Sequence, residues 1–243
     1  MAVDPGVVVT ERRLEGALVL RHRHHARIVL DIVRELAPRA ASPRRAVVVG
    51  AGDGAEAAAI AAEFGGAATL AVDRFAEFDP GAARAVACVR ADAAELPVRS
   101  RSCGLVYSYH ALEHVPRWRE AIAEFRRVLA PGGAAFVGVP NKRRVVAYVC
   151  NRAVRLRTAI AWNVKDWVAR LRGRFENELG AHAGFTEEEL GAALRESFAS
   201  VTPVRSRYFA LKYPGKGRFL EAIEDGGFAD VVYPSNYFLC REA

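Results

Sequence analysis

Sulfur and long apolar runs are both scarce in this chain of 243 residues, which has one methionine and four cysteines. No stretch approaches the roughly 20 consecutive apolar residues that span a bilayer. The start, Met1 to Thr10, lacks the basic region and apolar core of a secretory leader, so a soluble, cytoplasmic protein is expected. Cys88, Cys103, Cys150 and Cys240 form no CxxC pair. That argues against a zinc knuckle and a disulfide framework, and reduced thiols are expected. There is no internal repeat and no low-complexity tract beyond a general richness in alanine and arginine.

Apolar residues make up 51% of the chain, enough for one large α/β core or two small ones, and one domain is the simpler reading. The net charge is +7, yet ten of the basic residues lie between Lys142 and Arg174, against the single acid Asp166. That segment carries +9 and leaves −2 for the rest. A mildly acidic body with one cationic segment does not have the spread of charge that tracks a nucleic-acid backbone.

Hydrophobic periodicity predicts a leading helix over Glu11 to Leu36 within a helical segment 1–45. His22, His24 and His25 alternate there with arginines, which suggests a solvated helix face rather than a metal site. Strands are predicted at Ala46 to Val49, Thr69 to Val72, Ala87 to Arg90, Gly104 to Ser108 and Ala134 to Val139. Helices are expected at about Ala55 to Phe64 and Trp118 to Leu129, the second stopped by Pro131-Gly132-Gly133. A further helix should start at Thr186, with Glu189 completing a capping box. Two antiparallel strands, about Ser200 to Leu211 and Tyr237 to Arg241, should close the sheet. The expected fold is a single α/β domain over 1–243: a Rossmann-like, mostly parallel seven-stranded sheet with helices on both faces, an antiparallel last strand and a helical insert after the fifth strand.

Val47-Val48-Val49 runs into Gly50-Ala51-Gly52-Asp53-Gly54, and Asp73 follows about 20 residues later. Glycines let a backbone approach a ligand closely, and a carboxylate at this distance reaches ribose hydroxyls. The turn fits both GxGxG and the GxGxxA dinucleotide form, so it leaves open which adenosine cofactor is held.

The segments Asp92-Ala93-Ala94-Glu95-Leu96-Pro97, Gly104 to Val115, and Leu129-Ala130-Pro131-Gly132-Gly133 follow in order. With the glycine turn they resemble the class I S-adenosylmethionine-dependent methyltransferases of the small-molecule "methyltransferase 11" type, over about Ala46 to Pro140. The resemblance implies S-adenosyl-L-methionine as cofactor and S-adenosyl-L-homocysteine as product. It implies that Gly50, Ala51, Gly52 and Gly54 wrap the methionine part and that Asp73, with the adjoining Arg74, binds the ribose. It also implies that Asp92 and the Ala93 backbone read the adenine, and that Ser108, Tyr109 and His110 lie beside the sulfonium. Two positions depart from the family pattern, Val48 and Gly104, where many members carry an acid.

A sulfonium already makes its methyl group electrophilic, so the protein has to position a nucleophile and, where there is one, remove its proton. His110 and His114 are the candidate bases, with His182 a third, because imidazole titrates near neutrality. The packing alternative is that His114 only caps the following helix. His110-Ala111-Leu112-Glu113-His114 also matches the HxxEH metalloprotease pattern, but it directly follows a strand, and no metal is expected.

Within 142–180, Val145, Val149, Ala153, Leu156, Ile160, Val164, Trp167 and Leu171 recur at helical spacing among arginines. The first expectation is a basic cover whose apolar stripe packs on the body. The second is a lid over the acceptor, and the least favoured is contact with a membrane surface. The expected partner is a small-molecule acceptor methylated on oxygen, nitrogen or carbon, with no nucleic acid, since the Asn/Asp-Pro-Pro-aromatic motif is missing; the richness in alanine and arginine points to a GC-rich bacterial genome and specialised metabolism. The oligomeric state stays open. The alternatives are an NAD(P)-dependent reductase, and a non-methylating cyclase or scaffold that binds the same cofactor, for which Val48 and Gly104 are the support.

Overall fold

The computed structural model describes residues 22–75, 77–147, 156–177 and 182–242. The early part of the leading segment and part of the insert, including Cys150, lie outside them. Seven strands form one sheet: β1 (Arg45–Val49), β2 (Ala68–Asp73), β3 (Ala87–Arg90), β4 (Cys103–Tyr109), β5 (Leu129–Pro140), β6 (Ser200–Pro203) and β7 (Ser235–Arg241). Their order is β3-β2-β1-β4-β5-β7-β6. The first five strands are parallel, and β7 runs antiparallel between β5 and β6.

Residues 22–36 form helix α1, followed by α2 (Ala55–Glu63), α3 (Pro80–Ala85), α4 (Trp118–Val128), α5 (Leu156–Leu171), α6 (Glu187–Ser197), α7 (Arg205–Lys212), α8 (Gly217–Asp225) and α9 (Ala229–Val232). Strand alternation divides the core in two. Val48, Tyr107, Phe136 and Tyr237 pack with α1, α2, α7 and α8, whereas Val47, Val49, Val106, Val137 and Phe238 pack with α4 and α6. A β1 of three consecutive valines suits a strand covered on both faces. Each large apolar side chain buried this way, such as Ile60 or Phe125, contributes about 1.5–3 kcal/mol. Thr186 caps α6 by accepting from the Glu189 amide at 3.1 Å, as its position in the sequence suggests.

Two expected strands differ. β5 starts at Leu129, directly after α4, because Pro131 to Gly133 is absorbed in a bulge where pairing shifts from Cys103–Leu129 to Leu105–Ala134. The strand expected over Ser200 to Leu211 stops at Pro203, and Arg205–Lys212 is helix α7. Proline has no ladder donor, and helical spacing brings Tyr208 and Phe209 inward. Tyr208 stacks on Tyr237 with ring centres 3.8 Å apart, and Phe209 stacks on Tyr233 at 4.6 Å.

Candidate active site

Parallel strands bring their carboxyl ends to one edge, and the strand order reverses between β1 and β4, where such folds leave a crevice. The turn from β1 into α2 sits there. Gly50, Gly52 and Gly54 have φ of +73°, +54° and +90°, a region that disfavours side chains. A Cβ on Gly50 would stand 2.1 Å from the Cβ of Ala111, whereas one on Gly52 would meet nothing within 4 Å. The first glycine is therefore needed for packing against the loop after β4, and the third for its turn into α2. The second borders open space, as a cradle for an incoming ligand requires.

Asp73 ends β2 beside this turn. Its carboxylate accepts from the Gly52 amide at 3.0 Å and from the Phe75 amide at 2.9 Å. The spacing read from the sequence thus becomes a direct tie between the second glycine and the acid. Asp92, after β3, accepts from the Ala94 amide at 2.9 Å and from Arg117 at 3.2 Å, with Arg74 at 3.5 Å. The Ala94 amide first, then Arg117 and Arg74, outweigh the cost of partial burial and hold this carboxyl below its ordinary pKa. Asp73, Arg74 and Asp92 are brought together along one rim with the glycine turn, and Ala93 follows directly. Arg117 joins them from the start of α4; its distance in sequence hid it.

The β4 exit carries the remaining candidates. Ser108 pairs with Val49 and Val137, so its side chain shares their face under α4, and its hydroxyl is buried without a partner. Its backbone, rather than its hydroxyl, lies at the rim. Tyr109 takes the other face and stacks on His110 at 4.3 Å. His110 has φ +51°, and its Nε2 lies 3.0 Å from the Ser235 hydroxyl. Desolvation first, then the positive charges of Arg144 and Lys212, pull its pKa to about 3, so the ring is neutral at pH 7. His114 follows in a short turn, its side chain 53% exposed, with its ring edge-on to His182 at 4.7 Å. Desolvation and the neighbouring His182 lower its pKa as well.

Sequence reasoning passed over three groups here. Glu113 stands in the sequence only as part of the HxxEH string, yet its side chain is 1% exposed and one carboxylate oxygen has no hydrogen-bond partner. Burial raises its pKa to about 8. His25, expected on a solvated face, is buried against Tyr109, with ring centres 5.3 Å apart. Glu56 of α2 accepts from the Tyr107 hydroxyl at 2.6 Å. Tyr107 pairs with Val48, so this carboxylate serves the face on which Val48 itself has no acid. The other departure is steric: a Cβ on Gly104 would stand 2.8 Å from that of Pro43, at the amino end of β4 and away from the glycine turn.

The methyltransferase domain family matches residues 47–137, which run from β1 through β5. Malonyl-[acyl-carrier protein] O-methyltransferase of Methylococcus capsulatus is 30% identical over 191 residues, covering 74% of this chain and 64% of its own length. Among solved structures, a phosphoethanolamine N-methyltransferase 2 from Haemonchus contortus, in complex with phosphomonomethylethanolamine and S-adenosylhomocysteine, superposes with TM-score 0.51 at 17% identity, over 82% of this chain and 49% of that one. A possible histamine N-methyltransferase from Thermotoga maritima superposes with TM-score 0.53 at 16% identity, over 96% of both chains. The chain thus spans just under two thirds of the curated relative and about half of the Haemonchus enzyme. Likenesses at this identity show the fold.

Proposed function

We propose that this chain, whose central segment belongs to the class I S-adenosylmethionine-dependent methyltransferases, transfers a methyl group to an oxygen, nitrogen or carbon of a small molecule. The observation that carries this reading is the link from the Gly52 amide to the Asp73 carboxylate, in a turn whose second glycine borders open space. Gly50 to Gly54 would hold the methionine part, Asp73 with Arg74 the ribose, and Asp92 with the Ala93 amide the adenine.

When bound, the cofactor supplies an electrophilic methyl group, which leaves the protein to orient the acceptor and accept any proton it loses. Tyr109 and His110, fixed by stacking and by Ser235, would form one wall of the acceptor site. His114 is the better placed base of the two on this loop. It reaches solvent, so a proton taken from an alcohol or amine can leave, and His182 stands beside it. His110 is too weakly basic for that task and serves as a neutral hydrogen-bonding ring.

The name of the curated relative favours an oxygen acceptor. Calorimetric titration with S-adenosylhomocysteine and with NADPH tests the cofactor reading. Heat with the first and none with the second is expected; the reverse result would move the chain to the reductases.

A further inference from the structure

Helix α5 is built inside out. The residues it turns to the body are Ala159, Asn163, Asp166 and Arg170. Asn163 accepts from the Ala147 amide at 2.7 Å and donates to the Ala147 carbonyl at 2.6 Å, and Arg170 donates to the carbonyls of Lys142 and Arg144, each at 2.8 Å. Asp166 meets the buried Arg144 at 3.2 Å. The face next to this one is apolar and open to solvent. Leu156 is 64% exposed, Ile160 53% and Leu171 89%, with Val164, Trp167 and Val168 between them.

This is the stripe expected to pack on the body, and it is turned to solvent. Asn163, Asp166 and Arg170 have these partners underneath, so a rotation about the helix axis that buried the stripe would orphan them. The patch continues beyond the helix. The Trp167 indole donates to the Val145 carbonyl at 2.7 Å, and the Val145 amide to the Val231 carbonyl at 2.8 Å. Val145, Val146, Val231 and Val232 are exposed as well.

Exposed cations border the stripe: Arg157, Lys165, Arg172 and Arg174. The only acid on α5, Asp166, is already taken by Arg144. An apolar stripe on α5 bordered by exposed cations complements a surface that is apolar below and negative above. We propose that α5 docks this protein on anionic phospholipid membranes, lying in the interface with Leu156, Ile160, Val164 and Leu171 among the acyl chains and the four cations at the headgroups. Among the described residues, no helix is long and apolar enough to cross a membrane, so this is attachment to one leaflet. The docking face adjoins the polar face of the clamp that reaches the candidate site, where Arg144 donates to the His182 carbonyl at 2.8 Å.

The test is flotation of the full chain with vesicles of phosphatidylcholine alone or of phosphatidylcholine mixed with phosphatidylglycerol. Binding to the mixed vesicles, weakened by salt, and none to the neutral ones is expected. Ile160→Ser combined with Leu171→Ser should weaken binding more than tenfold. Arg157→Gln with Lys165→Gln and Arg172→Gln should weaken it on the order of a hundredfold, at about fivefold per cation. Each variant should keep the affinity for S-adenosylhomocysteine of the parent, which separates this proposal from the catalytic reading and shows that the variants are folded. Failure of the parent to float with acidic vesicles would overturn the proposal, as would equal flotation of the variants. A dimer in sedimentation that the apolar variant abolishes, without vesicle binding, would assign the stripe to a second copy instead.

Discussion

The glycine turn and the insert are two ways of fixing a functional element, and they differ in which atoms hold it. At the turn most of the work is done by backbone: three left-handed glycines, the Gly50 and Ala51 amides on the Val72 carbonyl at 2.9 and 3.0 Å, and strands paired on either side, with the Asp73 carboxylate added on the Gly52 amide. In the insert it is done by side chains. Arg144 alone donates to the carbonyls of Asn141, Ala183 and His182 and to Asp166. Backbone geometry leaves its mark in the sequence as glycines and spacing. A polar clamp leaves almost none, because any arginine or asparagine could be on the surface. The contrast also predicts mechanics: the turn should resist anything short of a new Cβ, whereas the insert depends on a few buried polar atoms.

The largest expected effect comes from adding atoms to the turn. Gly50→Val sets a side chain against Ala111 at a positive φ, and overpacking and strain together cost about 2–5 kcal/mol. Binding of S-adenosylhomocysteine, followed by calorimetry, should fall by two orders of magnitude or more, on the scale of about tenfold per 1.4 kcal/mol. Arg144→Ala should lower stability by about 3 kcal/mol in urea denaturation, the scale for removing one member of a buried, paired network. Hydrogen exchange should then rise in α5 while the amides of Gly50 and Gly52 stay protected. If both regions loosen equally, the two are one unit and the contrast fails.

Asp73→Ala should weaken S-adenosylhomocysteine binding by about 1–3 kcal/mol, the scale of lost charge-assisted hydrogen bonds, with little change in melting temperature. The smallest effect is in pH dependence. Glu113 has a folded pKa raised to about 8, so its favourable contribution is complete below its ordinary value and is lost as pH rises through 8. Glu113→Gln should therefore gain stability relative to the parent between pH 5 and pH 8. His110, depressed to about 3, has the opposite sign: its contribution is complete above pH 6.5 and fades as pH falls. Urea midpoints at several pH values would reveal both slopes, and a flat difference between Glu113→Gln and the parent would mean that the carboxyl is hydrated.

The same contrast governs what could be read in advance. The five parallel strands, the glycine turn and Asp73 were legible because valine runs, positive-φ glycines and fixed spacings are backbone demands. The extent of β6 was not, because Ser200 to Leu211 alternates well enough for a strand, and only the seat of Tyr208 on Tyr237 decides for helix α7. The existence of α5 was legible from its periodicity, but its facing was not. Periodicity marks a stripe without saying whether the body or the outside receives it, and the answer lay in Asn163, Asp166 and Arg170, which look like ordinary surface residues. Glu113 was hidden in the same way, its burial set by a turn that no local pattern announces.

The most direct test of the whole account is a crystal structure with S-adenosylhomocysteine bound. The account predicts ribose hydroxyls within hydrogen-bond distance of Asp73, adenine beside Asp92 and Ala93, and the sulfur facing the Tyr109 to His110 backbone. A ligand seated elsewhere, with the Gly50 to Gly54 turn bare, would contradict it.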